Sequence, residues 1–549
     1  MLAQAVDHYR CGRLGEAEKI AARIVKLLPD NFDALHLLGL VKLRRGRAGA
    51  ALALIEAALK INPAAPDALS NRGLALAALD RDGDALASFD QALALAPDHP
   101  DALNNRGSLL LKLQRPAEAL AALDRVAALA PQRLDARINR GNALAGLGRF
   151  DEALAQYEAL LAAAPRQTEL HFNRGNALAS LGRHVDAIAA YDQAVSNRPD
   201  HVKAHLNRGI TLQALNRHQE ALTSFAKVVA INKTDPDAQH NAALSRLTLG
   251  DYRRGFEQYE MRWRRTGMPA RRRDYGRPLW LGEYPPGHKT LLLHAEQGLG
   301  DTIQFVRYAP LLARMGAKVV LEVQPELLTL LGRIEGIAGI IERGAPLPAI
   351  DLHCPMGSLP LAMQTEAAAI PAAIPYLAAS QERIAHWRAR LAHLAPPRVA
   401  IAWSGRATHP NDRNRSLALA RLAPLLGLDR LSFIAIQREL PGPDAETLAR
   451  IPRAISIGQE LRDFDDTAAV LALADLVISV DTSVAHLAGA MGAPTWVLLP
   501  FCPDWRWMLA RPDSPWYPTA RLYRQPALGD WDSVLAHLRD DLTRMRITA

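Results

Sequence analysis

Three short segments place polar and ionisable side chains at expected strand-to-helix turns, and each suits chemistry on a phosphorylated ligand. The first is AEQGLGDTIQF, residues 295–305. Gly298 and Gly300 permit a tight turn with close backbone approach to a ligand, and Asp301 stands where the next helix begins. Its carboxylate either caps that helix or projects into a cleft. The second is SVDTSVAHLAGAMGAP, residues 479–494. DLVISV reads as a strand and SVAHLAGAM as a helix, so Thr482 and Ser483 offer hydroxyls and backbone N–H groups at a helix N-terminus, a natural seat for a diphosphate. His486, one turn in, either donates to a phosphate oxygen or is a structural histidine with a local partner. Asp481, at the strand end, can accept hydroxyls from a sugar. The third is AWSGRATHPNDRNRS, residues 402–416, with Ser404, Arg406, Arg413 and Arg415 in a polar loop. Guanidinium groups make planar two-pronged contacts to phosphate, so this is either a diphosphate clamp or a solvated loop.

These segments need strands and helices to position them. TLLLHA, KVVLEV, RVAIAW, LSFIAI, DLVISV and PTWVLL read as strands, TIQFVRYAPLLARMG as one helix, with amphipathic segments between the rest. Such alternation implies parallel sheets with helices on both faces. There is room for two, roughly over 288–380 and 397–525, which predicts two Rossmann-like domains facing a cleft, the GT-B plan, with ligands at the carboxyl ends of the strands.

The first half has another logic. Proline recurs at Pro29, Pro63, Pro97, Pro131, Pro165 and Pro199, 34 residues apart each time. Glycine keeps the same period from Gly39 to Gly209, alanine from Ala51 to Ala221 and arginine from Arg47 to Arg217. This is the tetratricopeptide signature, a stack of helix pairs forming an α superhelix. DALNNRGSLLLKLQR and PAEALAALDRVAALA are the two helices of one unit. A partial unit precedes six clear ones, and a degenerate one near 237–264 has Lys233 for proline and Ala243 for glycine. The expected division is repeats over 1–264, a Pro/Gly/Arg-rich linker over 265–287, and α/β domains over 288–396 and 397–549. The series Asn71, Asn105, Asn139, Asn173, Asn207 and Asn241 either pairs with the backbone of an extended peptide or bonds neighbouring repeats. It resembles the asparagine ladder of the O-GlcNAc transferase repeats.

A chain of 549 residues needs more than one core, and 49% apolar with 22% charged residues excludes general disorder. The net charge of +8 includes a cluster of Arg262, Arg264, Arg265, Arg271, Arg272 and Arg273, which either meets phosphate, an acidic membrane face or nucleic acid, or is a solvated connection. Lacking an aromatic platform and an extended basic face, the chain is not expected to bind nucleic acid. Cys11, Cys354 and Cys502 lie too far apart for a CxxC pair. The 17 histidines show no HExxH spacing, DRDGD at 80–84 lacks a calcium loop's terminal Glu, and DFD at 463–465 reads as a helix cap, so no metal is expected. Without an apolar leader core or a spanning stretch, a cytoplasmic protein with no transmembrane segment is expected. Trp403, Trp505 and Trp507 are expected in the core rather than against a base.

Residues 288–525 resemble the heptosyltransferase-like glycosyltransferases of family nine, especially the branch fused to tetratricopeptide repeats. GLGD is similar to that family's GD motif after the first strand, VDTSVAHLAGA to its DTxxxH motif, and PDWRWMLARPDSPWYPTARLYRQ to the tail of the fused branch. The resemblance implies metal-independent transfer from a nucleotide-diphosphate sugar, a substrate rather than a cofactor, to an acceptor hydroxyl. Asp301 would be the general base. Gly300, Ser404, Arg413, Arg415, Asp481, Thr482, Ser483 and His486 would bind the donor, and the repeats would recruit a protein or peptide. Ser483 stands where the family usually has Gly, and HAEQ replaces a basic residue near the first turn, so the sugar is left open. The rival expectation is a non-catalytic scaffold with a degenerate GT-B domain. Repeat proteins of this kind often dimerise, which makes a homodimer one expected assembly.

Overall fold

A proline every 34 residues can close one helix of a pair, and the computed structural model has a helix pair at each repeat. It describes residues 1–265, 273–406, 408 and 411–545. They form two compact units, Met1–Arg208 and Gly209–Ala549.

The first unit holds α1 (Leu2–Arg10), α2 (Leu14–Leu27), α3 (Phe32–Arg44), α4 (Ala48–Ile61), α5 (Pro66–Ala77), α6 (Asp82–Leu95), α7 (Pro100–Lys112), α8 (Pro116–Leu129), α9 (Leu134–Gly146), α10 (Phe150–Ala163), α11 (Thr168–Ser180), α12 (His184–Asn197) and the first half of α13 (Val202–Ala214). The unit read as partial is a helix pair like the others, with a shorter first helix. Each glycine of the period sits under a large side chain of its partner helix. A Cβ at Gly107 would lie 2.8 Å from Leu123, and one at Gly141 2.5 Å from the Tyr157 ring. The Tyr157 hydroxyl donates to Asn142 at 2.8 Å, which stops the ring from swinging aside. Gly141→Ala is therefore expected to destabilise the protein by about 1–3 kcal/mol through overpacking, less the ~1 kcal/mol that Ala gains over Gly in a helix. A urea melt measures it, and a midpoint raised by the full helix gain of Ala over Gly would mean the helices separate without cost.

The arginine series also has a local cause. Arg115 and Arg149 stand at helix N-caps and bind Glu118 and Glu152 one turn later with both N–H arms, at 2.6 and 2.7 Å in each case. Between each pair's helices one residue adopts positive φ, at Gly12, Gly46, Asp80, Gln114, Gly148 and Gly182, again on the period of the repeat.

The second unit begins within α13 and continues with α14 (His218–Ile231), α15 (Pro236–Thr248) and α16 (Tyr252–Tyr259). A four-stranded parallel sheet follows, built from β1 (Thr290–His294), β2 (Lys318–Val323), β3 (Ile337–Glu342) and β4 (Leu352–Pro355) in the order β3-β2-β1-β4. A six-stranded parallel sheet has β5 (Arg398–Ala402), β6 (Ser432–Ala435), β7 (Ala454–Ser456), β8 (Leu476–Val480), β9 (Thr495–Leu499) and β10 (Ala520–Arg524) in the order β10-β9-β8-β5-β6-β7. Their helices are α17 (Leu299–Phe305), α18 (Ala309–Arg314), α19 (Leu328–Leu331), α20 (Leu359–Ala362), α21 (Gln381–Arg390), α22 (Asp412–Arg415), α23 (Leu419–Leu426), α24 (Gly442–Ala449), α25 (Phe464–Ala472), α26 (Ser483–Ala490) and α27 (Trp531–Arg544).

The division between units thus falls inside the repeats, earlier than residue 264, because the last helix pair shares a core with the α/β part. Tyr252 and Phe256 of α16 pack edge-on to Trp505, and the Trp516 indole N–H donates to the Tyr252 hydroxyl at 3.1 Å. Part of the expected linker is also docked. Leu279 bridges to His353 beside β4, and Trp280 is buried. Among the described residues no helix is long and apolar enough to cross a membrane.

Candidate functional site

In a doubly wound sheet, ligands bind where neighbouring strands send their connections in opposite directions. In the six-stranded sheet that point lies between β5, whose chain proceeds to β6 and β7, and β8, whose chain proceeds to β9 and β10. Two of the three sequence candidates leave the sheet there. The loop after β5 carries Ser404, Arg413 and Arg415, and the turn after β8 carries Asp481, Thr482 and Ser483. The two are joined where Arg415 Nη1 donates to the backbone oxygen of Asp481 at 2.8 Å. Ser404 takes part through its backbone N–H, which donates to Gln437 at 3.2 Å, while Arg413 is exposed. Ala407, His409 and Pro410 of this loop lie outside the described residues.

The third candidate comes from the other sheet. α17 and α26 pack closely, and a Cβ at Gly300 would stand 2.7 Å from His486 Cδ2 and 3.5 Å from Ser483 Cα. Glycine at 300 is therefore what lets the two turns meet. Asp301 does act as a cap, its Oδ2 accepting from the Gly298 N–H at 2.9 Å. Its Oδ1 forms an ion pair with Arg506, a residue that sequence reasoning missed. Arg506 is buried, donates to Gln304 and, at 2.8 Å, to Asp504, and lies over the Trp505 ring at 4.5 Å.

Electrostatics divides the site into two kinds of group. Burial, then the neighbouring Asp504 charge, pushes the Asp481 carboxyl up to about 6. Burial, then Arg506, Arg307 and Arg415, holds His486 well below the usual imidazole range, so it is neutral at pH 7. Its Nδ1 is 2.9 Å from the Tyr517 hydroxyl, its Nε2 is 3.9 Å from Asp481 Oδ1, and its ring stacks on Trp507. Thr482 is the N-cap of α26, with its hydroxyl 3.2 Å from Ser479 Oγ. Trp403, Trp505 and Trp507 are all buried, and Trp403 donates to Asp444 at 2.7 Å.

Two other sequence candidates take different places. Arg262 is buried, not solvated. It donates to Glu260 at 2.6 Å, Ser358 at 2.6 Å and Glu296 at 3.1 Å, and so fills the crevice between the loops after β1 and β4, the first sheet's own reversal point. Arg265 pairs with Asp237 and Arg273 with Glu322, both at 2.6 Å, while Arg264 is exposed. Arg271 and Arg272 lie outside the described residues. Asp463 caps α25, as expected, accepting from the backbone of Asp465 and Asp466.

The asparagines of the repeats are half-buried, and one amide arm of each is committed to the protein itself. Asn71 meets His36 at 3.0 Å, Asn105 donates to Ser70 at 3.3 Å, and Asn139 to Asn104 at 3.1 Å. Asn173 and Asn207 donate to Asn142 and Asn176 at 2.9 and 2.8 Å. Each of these five bonds reaches the preceding repeat, whereas Asn241 turns to its own helix and donates to the Asp237 carbonyl at 2.9 Å.

A tetratricopeptide-repeat family model matches residues 2–66, 36–89, 70–133, 138–200 and 186–236. The N-terminal part is a tetratricopeptide-repeat array. The chain is similar to Protein FlbA of Caulobacter vibrioides, at 27% identity over 318 residues, 53% of this chain and 52% of that protein. It thus spans about half the length of the curated relative it matches. Among solved structures, a tetratricopeptide-repeat protein of Parabacteroides merdae is 22% identical, with TM-score 0.37, covering 44% of this chain and 96% of that one. YrrB, a repeat protein described as having an unusual peptide-binding site, is 25% identical, with TM-score 0.29 and 34% and 95% covered. A thermophilic repeat protein of Thermus thermophilus is 27% identical, with TM-score 0.30 and 33% and 100% covered. These structures align with less than half of the chain.

Proposed function

We propose that the chain is a GT-B glycosyltransferase that moves a sugar from a nucleotide-diphosphate donor to an acceptor hydroxyl, its repeats recruiting a protein acceptor or partner. The observation that carries the reading is the meeting, at the second sheet's reversal point, of Asp481, Thr482, Ser483, His486 and Arg415 with Gly300 and Asp301 from the first sheet. The α26 N-terminus and Arg415 suit the two phosphates, and Asp481 suits sugar hydroxyls. In the reaction, the acceptor oxygen bonds to the anomeric carbon as the bond to the diphosphate breaks. The bonding pair leaves with the nucleotide diphosphate, and Asp301 takes the acceptor's proton. A carboxylate has about four lone-pair sites, so the Gly298 and Arg506 contacts leave room for that proton. In the repeats, a peptide would meet the amide groups of Asn71, Asn105, Asn139 and Asn173 that the inter-repeat bonds do not use.

One observation favours the rival reading of a non-catalytic scaffold: both oxygens of Asp301 already have structural partners. A thermal-shift screen against nucleotide-diphosphate sugars, with Asp481→Ala alongside, separates the two. Under the transferase reading one donor stabilises the wild type alone, by about 2.7 kcal/mol at a hundredfold excess over Kd. No shift from any donor favours the scaffold.

The pH dependence adds a second expectation. Sugar hydroxyls need Asp481 ionised, and its carboxyl stands at about 6. Donor affinity should therefore fall about tenfold for each pH unit below 6, once protonation is well advanced. Affinity that stays flat down to pH 4.5 would remove Asp481 from donor binding.

A further inference from the structure

We infer that the last repeats form one wall of the proposed transfer site, with Asn216, in the turn between α13 and α14, positioning Arg506 and Trp507. The segment from Phe501 to Met508 follows β9 and carries Asp504, Arg506 and Trp507. One side of it faces the site, where Arg506 pairs with Asp301 and Trp507 stacks on His486. The other side lies on the helices that end the repeats. Asn216 Nδ2 donates to the Phe501 carbonyl at 2.5 Å, and the Cys502 thiol donates to the Gln213 carbonyl at 3.2 Å. Tyr252 and Phe256 of α16 flank Trp505. Gln213 is itself tied to α15, its amide donating to the Asn241 carbonyl and to Ser245 Oγ, both at 2.8 Å. The anchor is therefore built from two successive helix pairs.

The residue types at two turns fit this role. The positive-φ position of the repeat recurs at Asn216 and Gly250, with φ of 57° and 85°. At Gly250 a Cβ would lie 3.0 Å from Met508 Cε, so the absence of a side chain lets that end of the segment close on the turn. At Asn216, where Gly182 and Gly148 stand one and two repeats earlier, a side chain is present and reaches 285 residues along the chain. Asparagine combines tolerance of positive φ with an N–H donor. The segment so held has a backbone that needs outside support. Met508 has φ 53° and ψ −163°, and Ala510 has φ 50°, a conformation that residues other than glycine keep only where their surroundings impose it. Arg524, at the end of β10, donates to the Trp507 and Arg511 carbonyls from the sheet side. The repeats supply the opposing contacts at Phe501, Cys502, Trp505 and Met508. Between them the fork of Arg506 is fixed where it meets Asp301 and Gln304 together. That Arg506 serves sugar transfer rests on the transferase reading; that the repeats hold its segment does not.

The test compares the full chain with Asn216→Gly and Asn216→Asp. Both variants tolerate the backbone, since glycine holds this turn position in other repeats and Asp80 takes φ 55° there. Neither can donate to the Phe501 carbonyl. Hydrogen exchange is followed at Phe501, Arg506, Trp507 and Met508, whose N–H groups are all hydrogen-bonded. Exchange there should quicken by about tenfold in both variants, the worth of one hydrogen bond, with α13 and α14 as protected as in the wild type. Unchanged exchange in the segment would overturn the inference. So would protection lost throughout α13 and α14, which would make Asn216 a support of its own helix pair. Sugar transfer is then measured with the donor that the thermal-shift screen identifies. A residue acting through Arg506 should lower kcat by about tenfold or more with little change in KM, because small misplacements of reacting groups are costly. Full kcat in a variant whose segment exchanges faster would remove Asn216 as a positioning residue. If the wild type turns over no donor, the transferase reading fails, and the exchange rates still decide whether the repeats hold the segment.

Discussion

Asp301→Asn is expected to lower sugar transfer by about 100-fold or more, the usual contribution of a general base. The amide keeps the shape of the side chain and can still accept the Gly298 N–H, so the start of α17 survives. What it cannot do is take a proton from an acceptor or neutralise Arg506. Arg506 retains Asp504 and Gln304 in the variant, so its burial remains compensated and the protein should fold. The competing role for Asp301 is structural, a cap plus one arm of an ion pair, and it predicts the opposite division of effects. A structural carboxylate would lower the urea midpoint by the worth of one partly exposed pair and leave turnover nearly unchanged. Single-turnover transfer and a urea melt on the same preparation separate the two. Arg506→Lys sharpens the comparison. It keeps the charge but loses the planar fork that reaches Asp301, Asp504 and Gln304 together. If Asp301 is the base, that variant should lose kcat with little change in KM.

The repeats were legible because several residue types coincide on one period, each for its own physical cause. Glycine is fixed by the helix packed above it, and arginine by the acid one turn into its helix. The turn between paired helices was hidden, although it has the same period, because Asp80 and Gln114 take the positive φ that glycine takes elsewhere. In the α/β part the central strands were readable as buried apolar runs. β3 and β7 were not, since each lies at the edge of its sheet and is only partly buried, nor were two further edge strands, β4, only four residues long, and β10, which carries Arg521 and Arg524. The segment TIQFVRYAPLLARMG is two helices rather than one. Pro310 cannot continue the first and sits comfortably in the opening turn of the second, α18. The turns at Gly300, Asp301 and Asp481–Ser483 were legible one by one as strand-to-helix junctions; that Gly300 packs against Ser483 and His486 is visible only in the fold. Arg506 and Tyr517 were missed because they come from an irregular stretch between β9 and β10, and irregular chain has no period to read. The signal available was composition, a lone arginine between two tryptophans at 505–507 and a Trp-Tyr pair at 516–517. Arg262 was misplaced for a related reason. A run of arginines reads as surface, and only the acids brought in by distant loops, Glu296 above all, reveal that one of them is buried.

Replacing Arg262 by Ala is expected to destabilise the protein by about 3–5 kcal/mol, the usual cost of removing one partner from a buried ion pair. Glu296 is itself buried and loses its cation, while Ser358 loses its donor and Glu260 keeps only the Ser358 hydroxyl. The pH dependence identifies the cause. Burial already raises the Glu296 carboxyl above its ordinary 4.5, with Arg262 pulling the other way, so removing Arg262 raises it further. A carboxyl raised in the folded state binds more protons folded than unfolded, so its contribution to stability falls as pH rises from 4.5 through the raised value. The variant's deficit should therefore be largest near neutral pH and shrink toward pH 4.5. Adding Glu296→Gln should recover part of it at pH 7, because the glutamine buries no charge and can still accept from the Gly357 N–H that Glu296 binds at 3.1 Å. A deficit equal at pH 4.5 and pH 7, unrelieved by Glu296→Gln, would mean that lost packing around the guanidinium, and not an abandoned charge, makes Arg262 necessary.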